Sequence, residues 1–99
     1  MSGSTPACAT ALTRTVTVVN RRGLHARAAA KFVTLAERFG ASVEVARDGQ
    51  SVSARSIMGL MMLGAGPGSQ LELQADGWDA KEALEALAAL VEAGFDEQD

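Results

Sequence analysis

Residues 13–19, TRTVTVV, alternate polar and apolar positions and place Val16 and Val18 on one face. This period of two predicts a half-buried β-strand. A polar loop, Asn20 to Gly23, interrupts it. From Ala26 to about Phe39 the period lengthens to that of a helix. Ala29, Phe32, Val33 and Ala36 share a face, with Phe39 at its end, and Gly40 is a natural stop. Alternation returns at Val43 and Val45, Asp48-Gly49 supplies a tight hairpin turn, and Val52 begins the return strand. RSIMGLMMLG predicts a short helix with Ser56 as N-cap, Leu60 and Leu63 toward the core and Gly64 as its close; Gly59 weakens it and keeps it short. QLELQA (70–75) is a fourth alternating segment with Leu71 and Leu73 inward. The clearest helical pattern follows over 78–95, where Ala83, Leu84, Leu87, Leu90 and Val91 form a wide apolar stripe. Asp79 and Glu82 have the spacing of a capping box at its start.

The predicted order is β-α-β-β-α-β-α. A hairpin together with one-sided helices points to an antiparallel sheet with helices packed on one face, an α+β sandwich. A ferredoxin-like βαββαβ domain shares the first six elements and is the near alternative. The pattern supports one domain over 13–93, with a flexible N-terminal tail at 1–12 and a C-terminal tail at 94–99; 99 residues accommodate one modest core. Only four aromatics are present, Phe32, Phe39, Trp78 and Phe95, so that core must be largely aliphatic and alanine-rich.

Composition narrows the function classes. A single cysteine, Cys8, rules out an internal disulfide, and one cysteine with one histidine cannot build a Cys/His metal cluster. No segment approaches the roughly 20 apolar residues of a membrane helix, and no basic residue precedes Arg14, which weakens a secretory reading of the first residues. The expectation is a cytoplasmic protein without membrane insertion. Charge is unevenly placed: residues 1–36 hold five basic residues (Arg14, Arg21, Arg22, Arg27, Lys31) and no acid, while the remainder holds all twelve acids and four basic residues. The basic third can attract an anion or an acidic partner surface. Nucleic acid is disfavoured by a pI of about 5.0 and the lack of aromatics among the basic residues. The loop AGPGS is glycine-rich but lacks the Gly-Lys-Ser/Thr ending of a phosphate-binding loop.

His25 is the only histidine, in the stretch RGLHARA where a glycine-containing turn enters a helix. A lone histidine is more often structural than functional. Here it lies outside the apolar pattern of any element and at a helix start, whose free N–H groups and positive dipole end favour an anion. Arg27, two residues on, adds a fixed positive charge. That setting suits a neutral imidazole that accepts a phosphoryl group and then has its dianionic phosphate held by helix amides and Arg27. No partner acid or second histidine is in view to activate water, so carrying a phosphoryl group is favoured over hydrolysing one.

GLHARAAAKFV, followed some thirty residues later by SIMGLMMLG, closely resembles the histidine-containing phosphocarrier (HPr) family of the bacterial phosphotransferase system. The resemblance covers roughly residues 13–93 in element order as well as motifs. It implies an open-faced β-sandwich, a four-stranded antiparallel sheet with three helices on one face. It further implies that His25 is phosphorylated on Nδ1 by phospho-enzyme I, which draws on phosphoenolpyruvate, and passes the group to enzyme IIA domains. Arg27 matches the active-centre arginine, and Ser56 the regulatory serine that a dedicated ATP-dependent HPr kinase/phosphorylase modifies in some bacteria. Ile57, Met58 and Met61 are expected to be partly exposed and to form the adaptable docking face for these partners. The expected working state is a monomer, and neither a cofactor nor a metal is expected. Sugar uptake and a nitrogen-related regulatory branch both stay open, with Ser56 in SIMG favouring a version under kinase control. Two positions depart from the family: Ala28 replaces the usual proline, and Arg22 replaces a frequent small polar residue three before the histidine. The N-terminal tail is also longer than usual. The alternative from another class is a ferredoxin-like small-ligand sensor in which His25 only caps or packs.

Overall fold

The computed structural model describes residues 11–97. Strand β1 (Ala11–Thr17) leads through a loop to helix α1 (Ala26–Ala36); the hairpin β2 (Ser42–Arg47) and β3 (Gln50–Ser53) follows, then α2 (Ile57–Met62), β4 (Gln70–Asp76), α3 (Ala80–Glu92) and a short 3-10 turn, Gly94–Asp96. The seven main elements occur in the predicted order. All four strands form one antiparallel sheet in the order β1-β4-β2-β3.

One face of this sheet is covered and the other is open, because the strands alternate as the sequence does. Val16, Val43, Val45, Leu71, Leu73 and Ala75 are buried, whereas Thr15, Glu44, Gln70, Glu72 and Gln74 are exposed. The register aligns the covered set: Val16 opposes Leu71, Val43 opposes Ala75, and Val45 opposes both Leu73 and Val52. Against them pack Phe32, Val33 and Ala36 of α1, Leu60 of α2, and Ala83, Leu84, Leu87 and Val91 of α3. This is the open-faced, four-stranded sandwich with three helices on one side. Burial of these apolar side chains is worth about 25 cal/mol per Å² removed from water and is the main force holding the helices down.

Boundaries differ from the sequence reading in instructive ways. Strand β1 starts two residues earlier and ends at Thr17, yet Val18 still exchanges hydrogen bonds with the approach to β4: its N–H donates to Ser69 O at 2.9 Å and its O accepts from Gly68 N at 2.8 Å. Positions 11 and 12, expected in the N-terminal tail, lie in this strand; the rest of that tail, Cys8 included, lies outside the described residues. Helix α1 ends at Ala36 because the next turn tightens: Arg38 N donates to Leu35 O and Phe39 N to Ala36 O, both three residues back. Leu90 is only partly buried.

The capping box expected at α3 is not formed. Asp79 makes no side-chain cap; its carboxylate instead accepts from Gly40 N at 2.9 Å and Ala41 N at 2.8 Å. Asp79 is buried, and a buried carboxylate needs donors. The two amides of the α1–β2 turn supply them across the sheet end, so tertiary contact overrides the local cap and ties α3 to α1.

Candidate functional site

The segment before His25 is shaped by one contact that sequence alone could not reveal. Gly23 has φ +63, and a Cβ there would lie 2.2 Å from Ala65 O. Only glycine lets the chain close onto the loop that leaves α2. The next residue seals the contact, Leu24 N donating to Ala65 O at 3.0 Å. Leu24 is buried. This brings the end of α2 beside the start of α1.

His25 is the N-cap of α1. Its backbone is extended (φ −78, ψ −179), its carbonyl accepts the first helical bond from Ala29 N at 2.8 Å, and its Nδ1 accepts from Arg27 N at 3.3 Å. The ring is therefore turned toward the free amide end of the helix, where a negative charge is stabilised. Arg27 is exposed, and among the described residues its guanidinium makes no ion pair. Ala28 is fully buried in the first turn of α1, so replacing the family's proline leaves the helix start intact.

The other ring nitrogen has a partner from the opposite end of the chain. His25 Nε2 hydrogen-bonds Glu97 Oε2, across 72 residues, with only 18% and 12% of the two side chains exposed. The second oxygen, Glu97 Oε1, accepts from Asn20 Nδ2 at 2.9 Å, and the same amide donates to Gly23 O at 2.9 Å. Asn20 is 4% exposed and its Oδ1 accepts no hydrogen bond among the described residues. Glu97 is held below the usual carboxylate range, first by the Asn20 hydrogen bond, then by the His25 hydrogen bond, with the charges of His25 and Arg22 adding to this and desolvation opposing it. A depressed carboxylate contributes its stabilisation above the unfolded value and loses it as pH falls through the folded one. The contact therefore persists at neutral and mildly acidic pH.

Glu97 reaches this place through an unfavourable backbone. Gly94, Phe95 and Asp96 all have positive φ, at +67, +57 and +60. Two of these are not glycine, a conformation costing about 1–2 kcal/mol per residue. Two anchors offset it: the Phe95 side chain is fully buried, and Lys31 Nζ donates to Phe95 O at 2.7 Å. The domain boundary expected at residue 93 thus falls before a buried aromatic and a site carboxylate.

The second motif behaves as its residue types suggest. Ser56 Oγ accepts from Gly59 N at 2.9 Å and caps α2. Leu60 and Leu63 are buried, while Ile57, Met58 and Met61 are 40%, 68% and 39% exposed, joined by Met62 at 74%. Between α1 and the C-terminal part of α3 lies an open groove of about 470 Å³ lined by Arg27, Lys31 and Arg38, by the partly buried Leu35 and Leu90, and by one acid, Asp96. The basic residues of the first third are thus partly gathered along α1. No helix among the described residues is long and apolar enough to cross a membrane.

The sequence does not single out Asn20, Lys31 or Glu97 as neighbours of His25 or of the turn that brings Glu97 to it. Asn20 reads as an ordinary loop residue, Lys31 as the solvated side of a helix, and Glu97 as one of several acids in a terminal stretch without periodicity. The contact joining them spans most of the chain, and no local pattern encodes it.

Residues 12–93 match the family model described as "PTS HPr component phosphorylation site". The phosphocarrier protein HPr of Cupriavidus necator is 50% identical over 86 residues, covering 87% of this chain and 97% of that protein. The phosphocarrier protein NPr of Shewanella violacea is 47% identical over 88 residues, covering 89% and 97%. Among solved structures, HPr from Thermoanaerobacter tengcongensis superposes with a TM-score of 0.84 at 42% identity, covering 89% of this chain and 99% of that one. A match of this extent displaces the ferredoxin-like sensor alternative: the chain belongs to the HPr family of phosphocarriers of the phosphotransferase system.

Proposed function

We propose that His25 Nδ1 accepts a phosphoryl group from phospho-enzyme I and passes it to enzyme IIA domains. The observation that carries this reading is the placement of Nδ1 at the free amide end of α1 with Arg27 beside it. In the first transfer the Nδ1 lone pair forms a bond to phosphorus while the bond between phosphorus and the donor nitrogen breaks, its electron pair staying on the donor. The phosphate then carries about two negative charges, and helix amides with the Arg27 guanidinium oppose them. In the second transfer the bond to Nδ1 breaks and the electron pair returns to the ring.

Ile57, Met58 and Met61 supply the docking face, an exposed apolar cluster of the kind that adapts to more than one partner. Arg27, Lys31 and Arg38 outnumber the one acid, Asp96, in the groove beside α1 and complement acidic partner surfaces. Ser56 is the site for an HPr kinase/phosphorylase. A phosphate at this N-cap is compatible with the helix dipole and adds negative charge next to the docking face, which weakens association with acidic partners. One chain contains the whole phosphate site, so a monomer suffices, and the protein acts in the cytoplasm where phosphoenolpyruvate is made. The test is incubation with phosphoenolpyruvate and enzyme I. An acid-labile, base-stable phosphate is expected on the wild type and none on His25→Ala, with thermal unfolding little changed. Residual acid-labile phosphate on the variant overturns the assignment.

A further inference from the structure

The two ring nitrogens of His25 meet neighbours of opposite character. Nδ1 faces a donor, the Arg27 N–H, and Nε2 faces an acceptor, the Glu97 carboxylate. One tautomer satisfies both: Nδ1 bare and Nε2 protonated. The reverse tautomer sets N–H against N–H and lone pair against carboxylate. The carboxylate is itself held by the buried Asn20 amide, and the chain reaches it through two non-glycine residues of positive φ anchored by Phe95 and Lys31. Unfavourable backbone maintained by this many contacts, and ending on the ring that carries the chemistry, marks a functional constraint.

We propose that Glu97 is a positioning residue for phosphoryl transfer, acting through His25 by keeping the proton on Nε2 throughout the cycle. The proposal rests on the phosphocarrier reading above. When Nδ1 takes the phosphoryl group, Nε2 retains its proton and the ring becomes positively charged; the Glu97 carboxylate lies against that charge. When the bond between Nδ1 and phosphorus then breaks, the ring leaves as neutral imidazole. Without the Nε2 proton it would have to leave as imidazolate, a far poorer leaving group. Charge is divided across the ring accordingly. Arg27 and the helix amides serve the phosphate on the Nδ1 side, and Glu97 serves the cationic ring on the Nε2 side. The other charged groups about the pair are Arg22 in the β1–α1 loop, which acts on Glu97, Lys31 on α1, which is engaged with Phe95 O, and Asp96 next in the chain; α2 carries no charged side chain. This arrangement extends the family's motif with a residue that lies outside the stretch matched by the family model, 12–93.

The experiment uses the full chain, phosphorylated with phosphoramidate as a small phosphoryl donor, in wild type, Glu97→Gln, Glu97→Ala and Glu97→Asp. Phosphorus NMR follows the titration of the phosphorylated ring, and single-turnover assays follow transfer to an enzyme IIA domain. With Gln or Ala the titration midpoint is expected to fall by about one unit, the lower end of the effect of an adjacent opposite charge. Transfer above that midpoint should then slow by about tenfold. Asp restores part of both. A purely structural role for Glu97 would lower the melting temperature and leave the midpoint in place; that outcome, with wild type phosphorylated on His25, overturns the role of Glu97 alone. A wild type that takes no phosphate on His25 overturns the carrier reading and this proposal together.

Discussion

The starts of α1 and α2 are the same local device put to different ends. Ser56 caps α2 with a short bond, 2.9 Å from its Oγ to Gly59 N, and this cap fully accounts for a serine at that position. His25 caps α1 with a longer bond of 3.3 Å, and histidine is not among the preferred capping residues. Its ring gains what the serine lacks: a second contact, to a carboxylate brought from the other end of the chain. Helix stability explains Ser56 without further function. It does not explain why a strained C-terminal turn, a buried asparagine and a glutamate converge on His25. The Ser56 cap is complete within its own turn, whereas the His25 ring is held from across the fold, and that support is what the proposed carrier role calls for.

Four measurements test this contrast. The largest effect is expected from Phe95→Ala, which removes a fully buried aromatic and should cost about 3–5 kcal/mol of stability. The same change should loosen Glu97 from His25, seen as a change in the ring's nitrogen NMR shifts. Unfolding free energies within about 1 kcal/mol of wild type would mean that the C-terminal turn does not anchor the site.

Arg27→Ala should leave the fold unchanged, since the side chain is exposed, yet slow single-turnover transfer. Loss of one charged contact is worth about 1.5–3 kcal/mol, or roughly ten- to a hundredfold in rate. An unaltered rate removes the guanidinium from the mechanism and leaves the helix amides to hold the phosphate.

At α2 the expected effects separate by substitution. Ser56→Ala should lose about 0.5–2 kcal/mol of stability and remain a competent acceptor at His25. Ser56→Asp should keep the cap and accept phosphate from enzyme I more slowly. Raising ionic strength should recover part of that loss, because surface charges are screened beyond about 8 Å at physiological salt. Transfer as fast as wild type at low salt would reduce Ser56 to a cap.

Met58→Glu is expected to have a small effect on stability. At 68% exposure it should change unfolding by no more than about 1 kcal/mol while weakening binding to enzyme I, measured by calorimetry. A large fall in melting temperature would place Met58 in the core and move the docking face elsewhere.

What was legible along the chain was local. Period-two segments became strands with Val16, Val43, Leu71 and Leu73 on the covered face, and helical stripes became α1 and α3, because side-chain spacing within an element repeats along the sequence. Ser56 as a cap was equally legible, since its partner, Gly59, lies three residues away. His25 and Arg27 stood out because a polar pair sits where a turn meets a helix. Asp79 shows where such reasoning stops: its spacing to Glu82 predicted a local cap, and two amides from the α1–β2 turn took the carboxylate instead. The choice between competing donors is made only when distant segments are packed together.

Element order, the buried faces and the position of His25 at a helix start were all readable from the chain alone. The surroundings of its ring, by contrast, come from long-range packing. Asn20 and Glu97 lie 77 positions apart and meet because Gly23 lets the loop close on Ala65 and because a buried Phe95 turns the chain back toward α1. Neither residue carries periodicity, motif or composition that would announce it. Their pairing follows from where the fold places the loop after β1 and the turn after α3, and a contact set by closure of the whole fold leaves no mark at the scale of a helical turn or a strand.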